Sequence, residues 1–137
     1  MVFALSGKDG PAVAIRPGGK VAWREERGSP YVGSPVFYGG LLYFVDDQAR
    51  LVCREAASGA LVYRERLEGK FTASPVAGDG KIYLTNEAGT TVVVRAGRSF
   101  VRIAENRLGE ECLASPAISR GQLLIRTRSQ LWCFTRN

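Results

Sequence analysis

Residues 72–94, TASPVAGDGKIYLTNEAGTTVVV, decide the fold because their turn signals recur along the chain. The stretch combines a Ser-Pro step at 74–75, an Asp-Gly pair at 79–80 and two short apolar runs. Asp-Gly between apolar runs is a strong hairpin signal, because glycine accepts the positive φ of a tight turn. Proline cannot donate to a β-ladder, so it belongs at a strand start or on an edge strand. The stretch therefore predicts how a β-rich unit begins.

The same arrangement occurs three times. Ser-Pro steps begin at Ser34, Ser74 and Ser115, which are 40 and 41 residues apart, and a glycine follows each serine six positions later. A shift by 40 residues aligns the N-terminal segment with the first full unit, placing Phe3 on Tyr43, Val13 on Cys53 and Trp23 on Tyr63. A fixed period of this length is the signature of a repeat architecture. The chain contains about three and a half copies of a 40-residue unit.

Each full unit contains four short strand signals. They are SPVFY, LLYFVD, LVCRE and ALVYRER in residues 34–73, and SPVA, KIYLTN, TVVVR and SFVRIA in residues 74–114. β-Branched and aromatic residues dominate these runs, and turn residues separate them. No window keeps an apolar period of 3.6 residues, so helices are not expected. The middle runs are apolar on both faces, which favours sheets covered on both sides.

A repeat of four antiparallel strands over 40 residues predicts a blade of a β-propeller. We expect an all-β chain with a partial blade lacking its first strand at 1–33, full blades at 34–73 and 74–114, and a partial blade lacking its last strand at 115–137. Because propellers have about four to eight blades, this is an incomplete, open propeller. A β-sandwich of 14 short strands is the alternative, and the regular period argues against it.

The two partial blades carry expectations about the chain ends. A blade without its first strand suggests a truncated beginning, whereas an end after the third strand resembles a natural C-terminus that another strand completes. The edge at MVFALS is expected to be unpaired and prone to further pairing. We therefore expect either the C-terminal part of a larger propeller or self-association that covers the open ends. The first ten residues lack the features of a signal peptide, and no apolar run approaches the roughly 20 residues of a transmembrane helix.

Composition narrows the classes of function. The net charge is +6 and most of the basic residues are arginine, which raises nucleic-acid binding as a possibility. The arginines are scattered among acidic residues, so a solvated surface is the preferred interpretation. The chain has no histidine, which removes the commonest general base and metal ligand. A Ser-His-Asp triad and a Cys-His dyad are excluded for this chain.

Three cysteines are present, and their odd number leaves at least one thiol free. Cys53 and Cys133 are predicted on equivalent third strands of blades that are not neighbours, too far apart for a disulfide. Both are predicted to be buried as small apolar side chains. Cys112 takes the repeat position of Tyr31 and Phe71 and is likewise predicted to pack.

These units resemble the PQQ-type (pyrroloquinoline-quinone) propeller repeats of the quinoprotein dehydrogenase-like superfamily. The segment AIRPGGKVAW (14–23) keeps Gly19 and Trp23 of that family's blade motif. The segment REAASGALVY (54–63) keeps Gly59, with Tyr63 in place of the tryptophan. The segment ENRLGEECLASPAI (105–118) is similar to one subgroup of bacterial PQQ-binding-like propellers. The resemblance covers the whole chain and implies a bacterial protein of the periplasm or a secreted one.

The resemblance alone does not imply the cofactor. Quinoprotein dehydrogenases hold the quinone with a Ca²⁺ or lanthanide ion, whereas other members act as scaffolds, such as the lipoprotein propeller of outer-membrane β-barrel assembly. This chain has no adjacent cysteine pair and no spaced acidic ligand set, so we predict no catalytic residue, PQQ or Ca²⁺ here. The predicted function is a non-catalytic module that binds a protein, peptide or glycan. The alternative is a fragment of a PQQ-dependent dehydrogenase whose active-site residues lie in missing blades.

Loops are where a propeller would carry a binding site. Asp46, Asp47, Asn86 and Glu87 fall between the second and third strands of the two full units, so one face should carry all four. They are candidates to line a polar site near the mouth of the central channel. They are also ordinary turn formers, and the sequence leaves both interpretations open.

Overall fold

The structure, a computed structural model, describes residues 1–135 and contains 14 strands in four antiparallel sheets. Sheet 1 contains β1 (Val2–Leu5), β2 (Ala12–Ile15) and β3 (Val21–Glu25). Sheet 2 contains β4 (Val36–Tyr38), β5 (Leu41–Val45), β6 (Arg50–Glu55) and β7 (Leu61–Arg66). Sheet 3 contains β8 (Val76–Gly78), β9 (Lys81–Thr85), β10 (Thr90–Arg95) and β11 (Arg102–Arg107). Sheet 4 contains β12 (Ala117–Ser119), β13 (Gln122–Arg126) and β14 (Leu131–Thr135).

Strand order within every sheet follows chain order, so each sheet is a meander of hairpins. This confirms the predicted all-β class and the incomplete propeller built from repeated blades. Residues 1–135 form no helix of the length and apolarity that crossing a bilayer requires. The predicted fourth strand SFVRIA is placed too early, because the observed strand β11 runs from Arg102 to Arg107.

The Asp-Gly signal has the predicted conformation. Asp79 and Gly80 have φ values of 50° and 68° between β8 and β9. The equivalent pairs Gly39-Gly40 and Arg120-Gly121 also have positive φ at both residues. Two consecutive positive φ values are the requirement of a type I′ turn, whose twist matches that of the flanking strands. The first hairpin of three blades is therefore set by the same local chemistry.

The main core lies between sheets 2 and 3. Side chains alternate along a strand, so β5 directs Leu41, Tyr43 and Val45 to one face, where they join the cluster that holds Ile82 and Leu84 of β9. These five side chains are at most 6% exposed. Burying one such side chain stabilises the fold by about 1.5–3 kcal/mol. The apolar middle strands thus do what their sequence predicted and join two sheets face to face.

The Ser-Pro steps connect consecutive blades next to their first strands. The Ser34 amide donates to Ser74 Oγ at 2.9 Å, and the Ser74 amide donates to Ser115 Oγ at 2.8 Å. Strands β4 and β8 lie in contact, as do β8 and β12. Each serine hydroxyl accepts the amide proton of the serine one blade earlier, which a hydroxyl can do while keeping its own donor free. We call this arrangement the serine ladder.

Two details of the repeat alignment are wrong. Trp23 pairs with Ala14 rather than Val13, as Tyr63 pairs with Cys53, because the connection from Leu5 to its partner Ala12 is one residue longer than the corresponding one in sheet 2.

The predicted burial of Cys133 is also wrong, since this residue is exposed whereas Cys53 is buried. Cys133 alternates with Trp132 and Phe134, which face sheet 3, and so it lies on the opposite face of sheet 4. No sheet of the described residues covers that face.

Candidate functional site

The predicted site residue Asp46 shapes the turn between β5 and β6. Its side chain is buried, with Oδ1 accepting the amide protons of Gln48 and Arg50, both at 3.0 Å, and Oδ2 accepting Arg50 Nε at 2.8 Å. Carboxylates commonly hold such turns through backbone donors. Both oxygens of Asp46 therefore have structural partners.

Asn86 has the equivalent position in sheet 3 and also reaches the preceding linker. Its Oδ1 accepts the Thr90 amide at 2.9 Å, and its Nδ2 donates to the Glu68 carbonyl at 3.2 Å. Gly69 lies against this amide with a φ of 93°, and a Cβ there would stand 2.5 Å from Asn86 Nδ2. The glycine is required for both its conformation and the close approach.

Asp47 and Glu87 fasten the same kind of linker in the two full blades. Asp47 Oδ1 accepts the Tyr31 amide at 2.6 Å. Glu87 Oε1 accepts Thr72 Oγ1 at 2.5 Å and lies 3.5 Å from Lys70 Nζ. We use the term linker clamp for these contacts between a loop that joins the second and third strands and the linker leading into its blade. The four predicted residues act in two separate clamps, one in sheet 2 and one in sheet 3.

The linker clamp of sheet 4 uses different chemistry. Here the acid lies on the linker: Glu110 accepts hydrogen bonds from Thr127 Oγ1, the Ser129 hydroxyl at 2.5 Å and the Ser129 amide at 3.1 Å. The linker between Gly109 and Ser115 is one residue longer than the one between Gly69 and Ser74. The hydrogen bonds from Ser129 and then Thr127 hold the pKa of Glu110 below its usual range.

The chemistry of these loops does not fit a metal-dependent quinone site. In the part of the chain that the structure describes, no three His, Cys, Asp or Glu side chains gather closely enough to hold a metal ion. Ca²⁺ needs six to eight oxygen ligands, and the oxygens of Asp46 already accept three hydrogen bonds. The linker clamps are thus structural features, and they leave the binding surface to be sought elsewhere.

A cleft between sheets 3 and 4 is the best-formed candidate for that surface. Its volume is about 570 Å³, and aromatic and aliphatic side chains from both sheets line it. We define the 3/4 cleft by Tyr83 and Leu108 of the sheet 3 unit together with Leu123, Trp132 and Phe134 of sheet 4. The rings of Trp132 and Phe134 are parallel within 3° with centroids 6.2 Å apart. A second cavity of about 660 Å³ shares Tyr83, Leu123 and Phe134 and extends this apolar surface.

The 3/4 cleft lies beside a strand edge that is paired in the full blades. In sheets 2 and 3 the third strand pairs with a fourth strand, β6 with β7 and β10 with β11. In sheet 4 the third strand, β14, is at the edge of the described sheet. An unpaired edge presents backbone donors and acceptors to any incoming strand.

Two changes of side-chain size accompany the cleft. Ala104 pairs with Val93 as Tyr63 pairs with Cys53, so an alanine replaces a tyrosine on the fourth strand of sheet 3. On sheet 4, Trp132 pairs with Ile125. Its Nε1 atom is buried and has no hydrogen-bond partner among the described residues. The large ring partly fills the space and leaves one polar atom without a partner.

The rim of the 3/4 cleft has two cations and one anion. Arg107 donates to Glu105 Oε1 from Nε at 3.1 Å and from Nη2 at 2.8 Å, and Arg102 donates to Glu105 Oε2 at 3.2 Å. The hydrogen bonds with Glu105 and its charge raise the pKa of Arg107. The rim thus carries a net positive charge next to an apolar surface.

Sequence reasoning did not identify this site. Trp132 and Phe134 were part of a strand signal, and alternation alone places them on one face without showing whether that face is covered. The informative signal is the exchange of sizes across one interface, alanine at 104 and tryptophan at 132. It becomes visible only when the strand registers are known.

The fold has counterparts among solved structures. It superposes on BamB from Moraxella catarrhalis with a TM-score of 0.79 and 19% identity, covering 96% of this chain and 42% of that one. It superposes on a europium-containing methanol dehydrogenase with a TM-score of 0.65 and 9% identity, covering 77% of this chain and 22% of that one. At these identities the likeness concerns the fold. No curated protein sequence gives a significant match.

The chain spans less than half the length of either structure. At the level of sequence, the PQQ_2 family model, described as outer membrane protein assembly factor BamB, matches residues 8–102. That match covers both full blades and most of the first partial one. The predicted resemblance to PQQ-type propellers is confirmed, and the chain belongs to the PQQ_2 family of BamB-like β-propellers.

Proposed function

We propose that this chain is a non-catalytic propeller segment that binds an extended segment of a partner protein in the 3/4 cleft. The observation that carries the proposal is the free edge of β14 beside that cleft. The family model describes an outer membrane protein assembly factor, which supports a protein partner. The same family description supports a location in the periplasm or outside the cell.

The mode of binding follows from strand chemistry. An extended peptide can add to a sheet edge through backbone hydrogen bonds, and pockets for alternate side chains then give specificity. A strand added to β14 would direct every second side chain towards the apolar surface around Phe134. Its flanking residues would meet Arg102 and Arg107, so an acidic flank is favoured. The expected ligand is a short alternating strand with an acidic end.

The chemistry of the described residues supports a binding role over a catalytic one. Thiols are the main nucleophiles available in a chain without histidine, and burial raises the pKa of Cys53 to about 11 and also raises that of Cys112. A protonated thiol is a poor nucleophile. We therefore propose that these residues hold neither PQQ nor Ca²⁺. The likeness to methanol dehydrogenase, at 9% identity, adds support for the fold alone.

Hydrogen exchange with a synthetic probe tests the proposal. The probe is a fluorescein-labelled eight-residue peptide of alternating valine and threonine with a glutamate at one end. We expect saturable anisotropy binding and slower exchange of the β14 amides. Phe134→Ser should weaken binding at least tenfold because it removes a ring of the cleft. Phe37→Ser, which alters another exposed phenylalanine on β4, should bind as the unchanged chain does.

Several outcomes contradict the proposal. Equal affinity of the two phenylalanine variants would place the peptide elsewhere, and no protection of β14 would exclude strand addition. Binding of a cello-oligosaccharide without binding of the peptide would indicate a glycan site. Saturable binding of PQQ with Ca²⁺ would favour the dehydrogenase alternative.

A further inference from the structure

Sheets 1 and 4 each have one face that no sheet of the described residues covers. On sheet 4 this face carries Leu124, Leu131 and Cys133, which alternate with the residues directed at sheet 3. On sheet 1 it carries Val2 and Ala4, which alternate with Phe3 on β1, and the ring of Phe3 stacks on Phe37 of sheet 2. Leu131 is 70% exposed and Val2 is 65% exposed. Exposed apolar residues grouped on a sheet face mark an interaction surface.

The repeat makes these two faces complementary. Leu124 pairs with Cys133 as Tyr43 pairs with Cys53, and the latter two face sheet 3 from sheet 2. The uncovered face of sheet 4 is thus the type of face that each sheet presents to the next one. The uncovered face of sheet 1 is the type that receives the preceding sheet. Each of the three internal contacts between sheets joins these same two types of face.

The curvature of the stack suggests how many sheets close the ring. The chain superposes along 96% of its length on an arc that makes up 42% of the BamB chain. Two copies of this arc therefore approach the length of one whole propeller of that curvature. Two copies contain eight sheets, which is within the range of about four to eight blades known for propellers. Interfaces of the head-to-tail type form rings when their rotation closes.

We propose that two copies of this chain associate head to tail, with sheet 4 of each copy packed on sheet 1 of the other, into a closed ring of eight sheets. The contact continues the interface that already joins sheets 2 and 3. It leaves the 3/4 cleft accessible, because that cleft lies on the other face of sheet 4. The inference is independent of the peptide-binding role.

Cross-linking of one designed pair tests the geometry. Cys133 is the exposed thiol on sheet 4, whereas Cys53 and Cys112 are buried. An Ala4→Cys variant adds a second exposed thiol on the uncovered face of sheet 1. A short bismaleimide should join Cys133 of one copy to position 4 of the other. The product expected on a denaturing gel is a dimer of the 14.9 kDa chain with no larger species.

The controls separate this ring from other assemblies. The unchanged chain, which lacks a thiol on sheet 1, should not cross-link, and Cys133→Ser in the Ala4→Cys background should abolish the product. Light scattering should give twice the chain mass. Leu131→Arg should weaken the dimer more than tenfold, with circular dichroism unchanged. Ile103→Arg, at an exposed isoleucine of β11, should leave the dimer intact.

Three results would overturn the proposal. A monomer at micromolar concentration would show that the faces do not bind each other. Cross-linking of the unchanged chain through Cys133 would show a symmetric contact of sheet 4 with sheet 4. A ladder of trimers and larger species would show an open filament.

Discussion

The interface between sheets 2 and 3 and the interface between sheets 3 and 4 are built from the same repeat but differ in completeness. In the first, Tyr43 accepts the Gly97 amide at 2.9 Å, and the ion pair of Arg98 and Glu55 adds a link between the blades. Burial raises the pKa of Tyr43 to about 12. In the second, a cleft of about 570 Å³ remains beside the edge of β14. A propeller blade thus contributes stability through its fourth strand and offers a binding surface where that strand is absent.

Truncating one equivalent residue in each interface should show the largest difference. Ile82 on β9 is fully buried against sheet 2, whereas Leu123, its equivalent on β13, lines the 3/4 cleft and is half-buried. Ile82→Ala should lower the free energy of unfolding by about 2–5 kcal/mol, the cost of a buried truncation. Leu123→Ala should cost about 1 kcal/mol, because little apolar area is removed from a site already open to water. Urea unfolding of both variants measures the difference, and equal costs would contradict it.

A glycine comparison tests the linker clamps. Gly89 and Gly109 both have positive φ, at 77° and 72°. A Cβ on Gly89 would overlap the Glu110 carbonyl oxygen, whereas a Cβ on Gly109 meets nothing within 4 Å. Gly109→Ala should therefore cost about 1–2 kcal/mol from the left-handed conformation alone. Gly89→Ala should cost more, because the linker into sheet 4 must also shift. Thermal unfolding that ranked Gly109→Ala as the more harmful change would contradict this view of the clamp.

Acidification should act on sheet 4 through Glu110. Its pKa is lowered in the folded state, mainly by the Ser129 and Thr127 hydroxyls. Its contribution is therefore fully present above the unfolded pKa of about 4.3 and is lost as the pH falls through the folded value. Glu110→Gln should make stability less dependent on pH below about pH 4.3. Urea midpoints between pH 3 and pH 7 measure this, with Glu111→Gln expected to behave as the unchanged chain.

Thiol labelling probes the same contrast without changing the protein. Cys53 is buried between sheets 2 and 3, and Cys112 is buried in the linker into sheet 4. Burial raises the pKa of both thiols, which lowers their thiolate fraction. Only Cys133 should react with a disulfide reagent at pH 8, and all three should react in urea. Fast labelling of Cys53 in the native chain would indicate that the main core opens.

The predictability of this molecule from sequence differs between backbone and site. The type I′ turn at Asp79 and Gly80 and the apolar middle strands were predictable, because both depend on neighbouring residues alone. The exposure of Cys133 was not, since it depends on whether another sheet covers that face. Asp46 and Asn86 were found as loop residues, but their role in turns and clamps depends on contacts with backbone groups. The 3/4 cleft depends on two substitutions 28 positions apart, Ala104 and Trp132, which only the strand registers bring into one interface.

The serine ladder has a consequence for how such proteins grow and shrink. Ser74 uses its amide towards the following blade and its hydroxyl towards the preceding one. One residue therefore contains both halves of the connector, and any blade that begins with it fits between any two others. Duplication or deletion of a 40-residue segment by recombination would preserve this connection without a compensating change elsewhere. Blade number in this lineage can thus change in a single genetic event, while the inner connection stays the same.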